Sequence, residues 1–176
     1  MKFINFNYLV ILIYLISSTF SYSIDRPKIK NLIIHKDKKK IENVEFIKSK
    51  SQKISLNNYV ENSIIINFWA TWCAPCKKEM PSLDMLYQDK KFKNLQIFAV
   101  NMETPNKLKT KNFFIDLNVK KLEIFFDRDL NLVKEFKLRG VPTTVLINKK
   151  GEEFARIIGE VNFLDKKFLK WLAKYD

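Results

Sequence analysis

The chain's 176 residues predict an α/β fold, a central mixed sheet flanked by helices on both faces, and three features carry that reading. Ser63 to Phe68 (SIIINF) is a nearly continuous apolar, β-branched run, as a central strand covered on both faces requires. From there to about Leu138, strand-like runs alternate with segments of helical spacing. The chain then closes with two strand-like runs around Lys149-Lys150-Gly151 and a last helix. With 47% hydrophobic and 14% aromatic residues, it can build one sizeable core.

Taken in order, the elements begin with an apolar run after Lys2, Tyr8 to Ile16 (YLVILIYLI), extended backwards to Phe3. This is the architecture of an export signal, and Ser21-Tyr22-Ser23 supplies a small-x-small site for cleavage after Ser23. An uncleaved membrane anchor is the alternative, because Phe3 to Phe20 spans 18 residues without a charge. Residues 1–23 are therefore assigned to signal or anchor, and the mature protein to the periplasmic or extracytoplasmic side. Residues 24–40 are polar, with Pro27 and the run Lys38-Lys39-Lys40, and read as a linker or loosely attached arm. Residues 41–176 form the domain.

Within it, Val44 to Ile47 and Lys53 to Leu56 predict an N-terminal hairpin. After the central strand, Met80, Leu83 and Leu86 or Tyr87 mark a helix that Pro81 should kink. Leu95 to Val100 is a second strand, and Thr104-Pro105 starts a helix carrying Leu108, Phe113, Phe114 and Leu117. Glu123 to Phe126 is a short strand, followed by a helix from Asp129 to Leu138 that Gly140 ends. Thr143 to Asn148 and Glu152 to Ile158 make the closing hairpin, and Leu164, Phe168 and Trp171 or Leu172 mark the terminal helix.

The 32 Lys and Arg against 19 Asp and Glu leave +13, a balance that suits nucleic acid, anionic lipid or an acidic partner. The basic residues are spread from Lys28 to Lys174 without a nucleic-acid motif, so a solvated surface is expected and no nucleic-acid partner. Docking to an anionic membrane or an acidic protein stays open.

Cys73 and Cys76, the only cysteines, stand where the central strand gives way to a helix. A bridge across so short a loop restricts the unfolded chain little, so stapling is a poor reason for it. Tetrahedral zinc wants four ligands, and the chain offers two cysteines and His35 in the predicted arm. Covalent haem attachment wants C-x-x-C-H, but Lys77 follows Cys76. Copper(I) held between two soft thiolates remains open as a metallochaperone alternative. Thiol-disulfide exchange fits best: a helix N-terminus favours the thiolate of Cys73, and Cys76 is one turn further along to attack a mixed disulfide. No cofactor is expected.

The stretch NFWATWCAPCKKEMP, Asn67 to Pro81, together with Gly140-Val141-Pro142-Thr143-Thr144, resembles the thioredoxin superfamily, and more specifically its exported TlpA-like and ResA-like branch. The resemblance runs from about Val44 to Ala173. It implies a thioredoxin-like fold with a βα insertion between the cysteines and the proline loop. It further implies a redox-active Cys73–Cys76 disulfide, with Cys73 attacking and Cys76 resolving. Pro142 would be a cis proline facing the pair, and Trp72, Ala74, Pro75, Val141 and Thr143 would meet the substrate, Val141 through its backbone. Glu79 matches a glutamate that could exchange a proton with the buried thiol, the alternative being a solvated carboxylate beside Lys77 and Lys78. Asn67 stands where cytoplasmic thioredoxins carry a buried Asp. Trp69 is expected in the core.

The family implies reduction of disulfides in client proteins, apocytochrome c first and oxidase copper-site cysteines next, with electrons from a membrane thiol donor. Oxidation or isomerisation is the alternative within the same chemistry. A thiol peroxidase is disfavoured, since Ile66 and Ala70 occupy the places where its pattern wants Pro and Thr. A monomer is expected.

Overall fold

A computed structural model describes residues 27–42, 44–48 and 52–176. The expected signal or anchor, residues 1–23, lies outside the described residues, as do residues 24–26 of the expected arm. Among the described residues no helix is long and apolar enough to cross a membrane.

The strands are β1 (Leu32–Lys40), β2 (Glu45–Ile47), β3 (Lys53–Ser55), β4 (Ser63–Trp69), β5 (Leu95–Asn101), β6 (Ile124–Phe126), β7 (Thr143–Ile147) and β8 (Glu152–Ile158). They form one sheet in the order β1-β8-β7-β4-β5-β6-β2-β3. β4, β5 and β6 run parallel, whereas β7, β8 and β1 pair antiparallel on one side and β6, β2 and β3 on the other. The helices are α1 (Ala74–Tyr87), α2 (Lys107–Asp116), α3 (Asn131–Glu135) and α4 (Lys166–Leu172).

Every residue of β4 is buried, and its alternating side chains divide the interior into two cores. Ile65 and Trp69 join Met80, Leu83 and Leu86 of α1 and Phe168, Trp171 and Leu172 of α4. Ile64, Ile66 and Phe68 join Leu132 of α3 with Phe136 and the hairpin residues Phe46 and Ile54. The sheet is therefore covered on both faces, as the nearly continuous apolar run of β4 demands. Trp69 is fully buried and stacks on Phe113 and Phe114 of α2 at 4.7 and 5.3 Å, so α2 seals the end of β4 from which the cysteine loop departs.

The first strand departs from the sequence reading. Leu32 to Lys40, expected in a loose arm, is an edge strand with Leu32 opposite Ile157 and Ile34 opposite Ala155. Its run of lysines, which argued for an arm, is what an exposed edge carries to discourage pairing with another chain. His35 is accordingly part of the sheet, with Nε2 2.9 Å from Glu153 Oε1.

Smaller differences have local causes. α1 runs through Pro81 as one helix. The cap of α2 is Asn106, whose side chain accepts from Lys109 N, rather than Thr104, and Leu108 is 69% exposed instead of joining the apolar face. α3 covers only part of Asp129 to Leu138, since Leu130 and Lys137 both adopt positive φ and stop it well before Gly140.

Candidate active site

Cys73 is the N-cap of α1. Its backbone is extended (φ −80°, ψ 104°), its Sγ accepts from Cys76 N at 3.2 Å, and its carbonyl accepts from Lys77 N. The two cysteines form a disulfide. Cys73 is 3% exposed and Cys76 fully buried, while Trp72, Ala74 and Pro75 around them are exposed, Trp72 by 70%. The two tryptophans of the motif thus separate: Trp69 is core, and Trp72 is a bare ring beside the sulfurs. Amide donation and the unpaired N–H groups of the first turn favour negative charge on Cys73 once the bridge opens.

The Val141–Pro142 bond is cis. Pro142 O accepts from Gly159 N at 2.9 Å and Thr143 Oγ1 donates to Gly140 O at 2.7 Å, so the loop is tied from both sides. Thr143, expected to meet the substrate, is buried and spends its hydroxyl on this clamp. Val141 is half-buried, and among the described residues nothing hydrogen-bonds its backbone N–H or C=O. An extended peptide could pair there.

Glu79 is buried to 2% exposure, so it is no solvated carboxylate, although Lys77 and Lys78 beside it are exposed. Its Oε1 accepts from Asn67 Nδ2 at 2.7 Å and its Oε2 from Val161 N at 3.1 Å. Burial pushes its carboxyl up to about 7, the two hydrogen bonds opposing the rise and Glu160 adding to it. A carboxyl on the same helix as Cys76, three residues on, and titrating near neutrality can take and return a proton.

Glu103, just beyond β5, was not singled out in the sequence. Thr71 N donates to its Oε2 at 2.6 Å, Thr71 Oγ1 to its Oε1 at 3.0 Å, and Lys109 Nζ to Oε1 at 2.7 Å. Burial raises its pKa, but the bonds from Lys109, Thr71 and Asn101 together outweigh that and hold it at about 2. Glu103 therefore moors the turn that enters the cysteine loop. Because its folded pKa is depressed, its contribution is present above about pH 4.5 and lost as pH falls towards 2. Glu103→Gln should lower stability at pH 7 by about 2 kcal/mol and flatten that acid limb, both readable from denaturant midpoints between pH 2 and 7. An unchanged acid limb would remove Glu103 from this role.

The family model described as AhpC/TSA matches residues 38–152, from the edge strand through the cysteine pair and the proline loop. The chain belongs to the AhpC/TSA family. Within it, the chain is similar to the thiol-disulfide oxidoreductase ResA of Halalkalibacterium halodurans, 36% identical over 101 residues, covering 57% of this chain and 56% of that one. It is also similar to ResA of Bacillus cereus, 33% identical over 109 residues and 62% of each chain. The chain thus spans less than two thirds of the length of these relatives. Among solved structures, StoA from Bacillus subtilis superposes with a TM-score of 0.58 at 24% identity, covering 83% of this chain and 99% of that one. A DsbF homologue from Corynebacterium diphtheriae does so with a TM-score of 0.64 at 20% identity, covering 85% and 96%. The fold is thioredoxin-like, as the cysteine and proline motifs implied.

Proposed function

We propose that this protein is an exported thiol-disulfide oxidoreductase that reduces disulfides in client proteins through Cys73 and Cys76. The observation that carries the reading is the placement of Cys73 as the cap of α1, its sulfur on an amide donor, with its partner one turn inside the same helix. The similarity to ResA proteins supports the same chemistry. In the dithiol form, the Cys73 thiolate attacks one sulfur of a client disulfide, the first client thiolate leaves, and a mixed disulfide forms. Glu79 takes the proton of the Cys76 thiol; the Cys76 thiolate attacks Cys73 Sγ, the intramolecular bond closes, and the second client thiolate leaves. Two electrons pass to the client; its second thiolate takes the Cys76 proton from Glu79, and its first takes a proton from water. A membrane thiol carrier then restores the dithiol.

Trp72, Ala74, Pro75 and the backbone of Val141 make up the surface on which the client lies. Apocytochrome c before haem attachment is the first client by resemblance, and copper-site cysteines of oxidase assembly the second. Export rests on the apolar N-terminal run, and fractionation of cells making the full chain tests it. The decisive experiment for direction is titration of the cysteine pair against a thiol redox buffer. A potential of about −270 mV or lower is expected; one near about −120 mV would make the protein an oxidant and overturn the reductive assignment.

A further inference from the structure

Asn67 sits within β4 with no exposed surface, and its amide is satisfied on one side only. Nδ2 donates to Glu79 Oε1 at 2.7 Å and to Thr144 Oγ1 at 3.0 Å, while Oδ1 meets no partner among the described residues. A buried unpaired acceptor is expensive, and a polar group kept at that cost calls for a reason.

The reason lies in what the two neighbours can do. Thr144 is a hydroxyl that donates as readily as it accepts. Glu79 changes character with its proton. Its Oε2 is already held by the Val161 N–H, so a proton on this carboxyl belongs on Oε1, the oxygen that faces Asn67. With Glu79 ionised, Nδ2 must point at it, as it does here. With Glu79 protonated, Nδ2 and the acid O–H would be two donors in opposition. Rotating the amide by half a turn puts Oδ1 in that place, where it accepts from both Glu79 and Thr144.

We propose that Asn67 is a positioning residue whose side-chain amide turns over when Glu79 gains or loses its proton. The carboxyl is thereby hydrogen-bonded in both states, and its state is passed to Thr144, two residues beyond cis Pro142. The exchanging proton and the substrate-facing proline loop are then coupled through one side chain. The inference rests on the reading of Glu79 as proton partner of Cys76. Asn67 and Thr144 face Glu79 from β4 and β7 and carry no charge. Glu160, near the Val161 N–H, is the charged neighbour; it lies 3.4 Å from Lys78 Nζ.

The experiment is side-chain NMR of the full chain in detergent, across pH 5 to 9, with labelled Asn amides and Glu carboxyls. In the wild type, the Asn67 amide signals should shift with the same midpoint as the Glu79 carboxyl. In Glu79→Gln they should stay at the low-pH position throughout, because a Gln amide donates to Asn67 as the acid does. In Asn67→Leu, which removes the bond to the ionised and to the protonated form alike, the Glu79 midpoint should move by less than the rise of about one unit that loss of a fixed donor would give. An Asn67 amide that does not move while Glu79 titrates would overturn the rotation, whatever the thiols do. Failure of the underlying reading looks different: Asn67 would follow Glu79, but the Cys76 thiol, followed by its Cβ carbon shift in the reduced protein, would titrate alike in wild type and Glu79→Gln.

Discussion

Cys76→Ser should arrest the reaction at the mixed disulfide and accumulate the protein covalently joined to its client. The expectation follows from the unequal placement of the two sulfurs. Cys73 caps α1 between exposed Trp72 and exposed Ala74, and it is the sulfur that the helix end and the Cys76 amide prepare as an anion. Cys76 is wholly buried behind it and can reach no partner other than Cys73. Removing Cys76 therefore leaves the first attack intact and deletes the second, so multiple turnover is lost while an adduct builds up. Cys73→Ser should be inactive and form no adduct. Non-reducing electrophoresis of acid-quenched cells, followed by mass spectrometry of the adduct band, reads both variants. An adduct from Cys73→Ser alone would invert the assignment of attacking and resolving cysteine, and equal adducts from both would abolish it. Adducts containing only small thiols would remove the protein client from the proposal and leave the exchange chemistry standing.

How far such a site could be read in advance depended on what kind of interaction fixed each residue. Cys73 and Cys76 were legible because local sequence marks their place, a buried strand followed by a helix start, whereas Pro142 was legible through the resemblance of Gly140 to Thr144 to the family's proline loop. Trp69, expected in the core, is there, stacked on Phe113 and Phe114 of α2, and Trp72, three residues on and expected at the substrate, is bare. Glu79 carried a solvated alternative because its sequence neighbours are lysines, yet its environment is set by Asn67 and Val161, 12 and 82 residues away. Glu103 was missed for the same reason: its value lies in Thr71, 32 residues earlier. The edge strand β1 was misread because charge on an edge looks like charge on a tail. Alternation and helical spacing describe faces, whereas these residues depend on which faces the topology brings together.

Glu79→Gln should make the protein more stable and less active, with both effects strongest above neutrality. Glu79 ionises at about 7 in the fold against an ordinary 4.5, so the folded chain holds this proton more tightly than the unfolded one. Stability linked to it is then full below about pH 4.5 and falls as pH rises through 7, by about 3 kcal/mol in all. Gln carries no charge to desolvate: its oxygen can accept from Val161 N and its amide can donate to a rotated Asn67. The variant should exceed the wild type by up to about 3 kcal/mol at pH 8, match it near pH 4.5, and show no slope between. Denaturant melts at three pH values measure this, and a wild-type stability that is flat from pH 4.5 to 8 would refute the buried, titrating carboxyl. Activity should move the other way. With no carboxylate to accept the Cys76 proton, resolution of the mixed disulfide at pH 7 should slow by about a hundredfold, and stopped-flow tryptophan fluorescence from Trp72 beside the pair can follow it. A variant that gains stability without losing rate would mean that water, reaching the buried thiol directly, carries the proton instead. If both changes appear together, the fold is retaining an unstable carboxylate because exchange at Cys76 requires one.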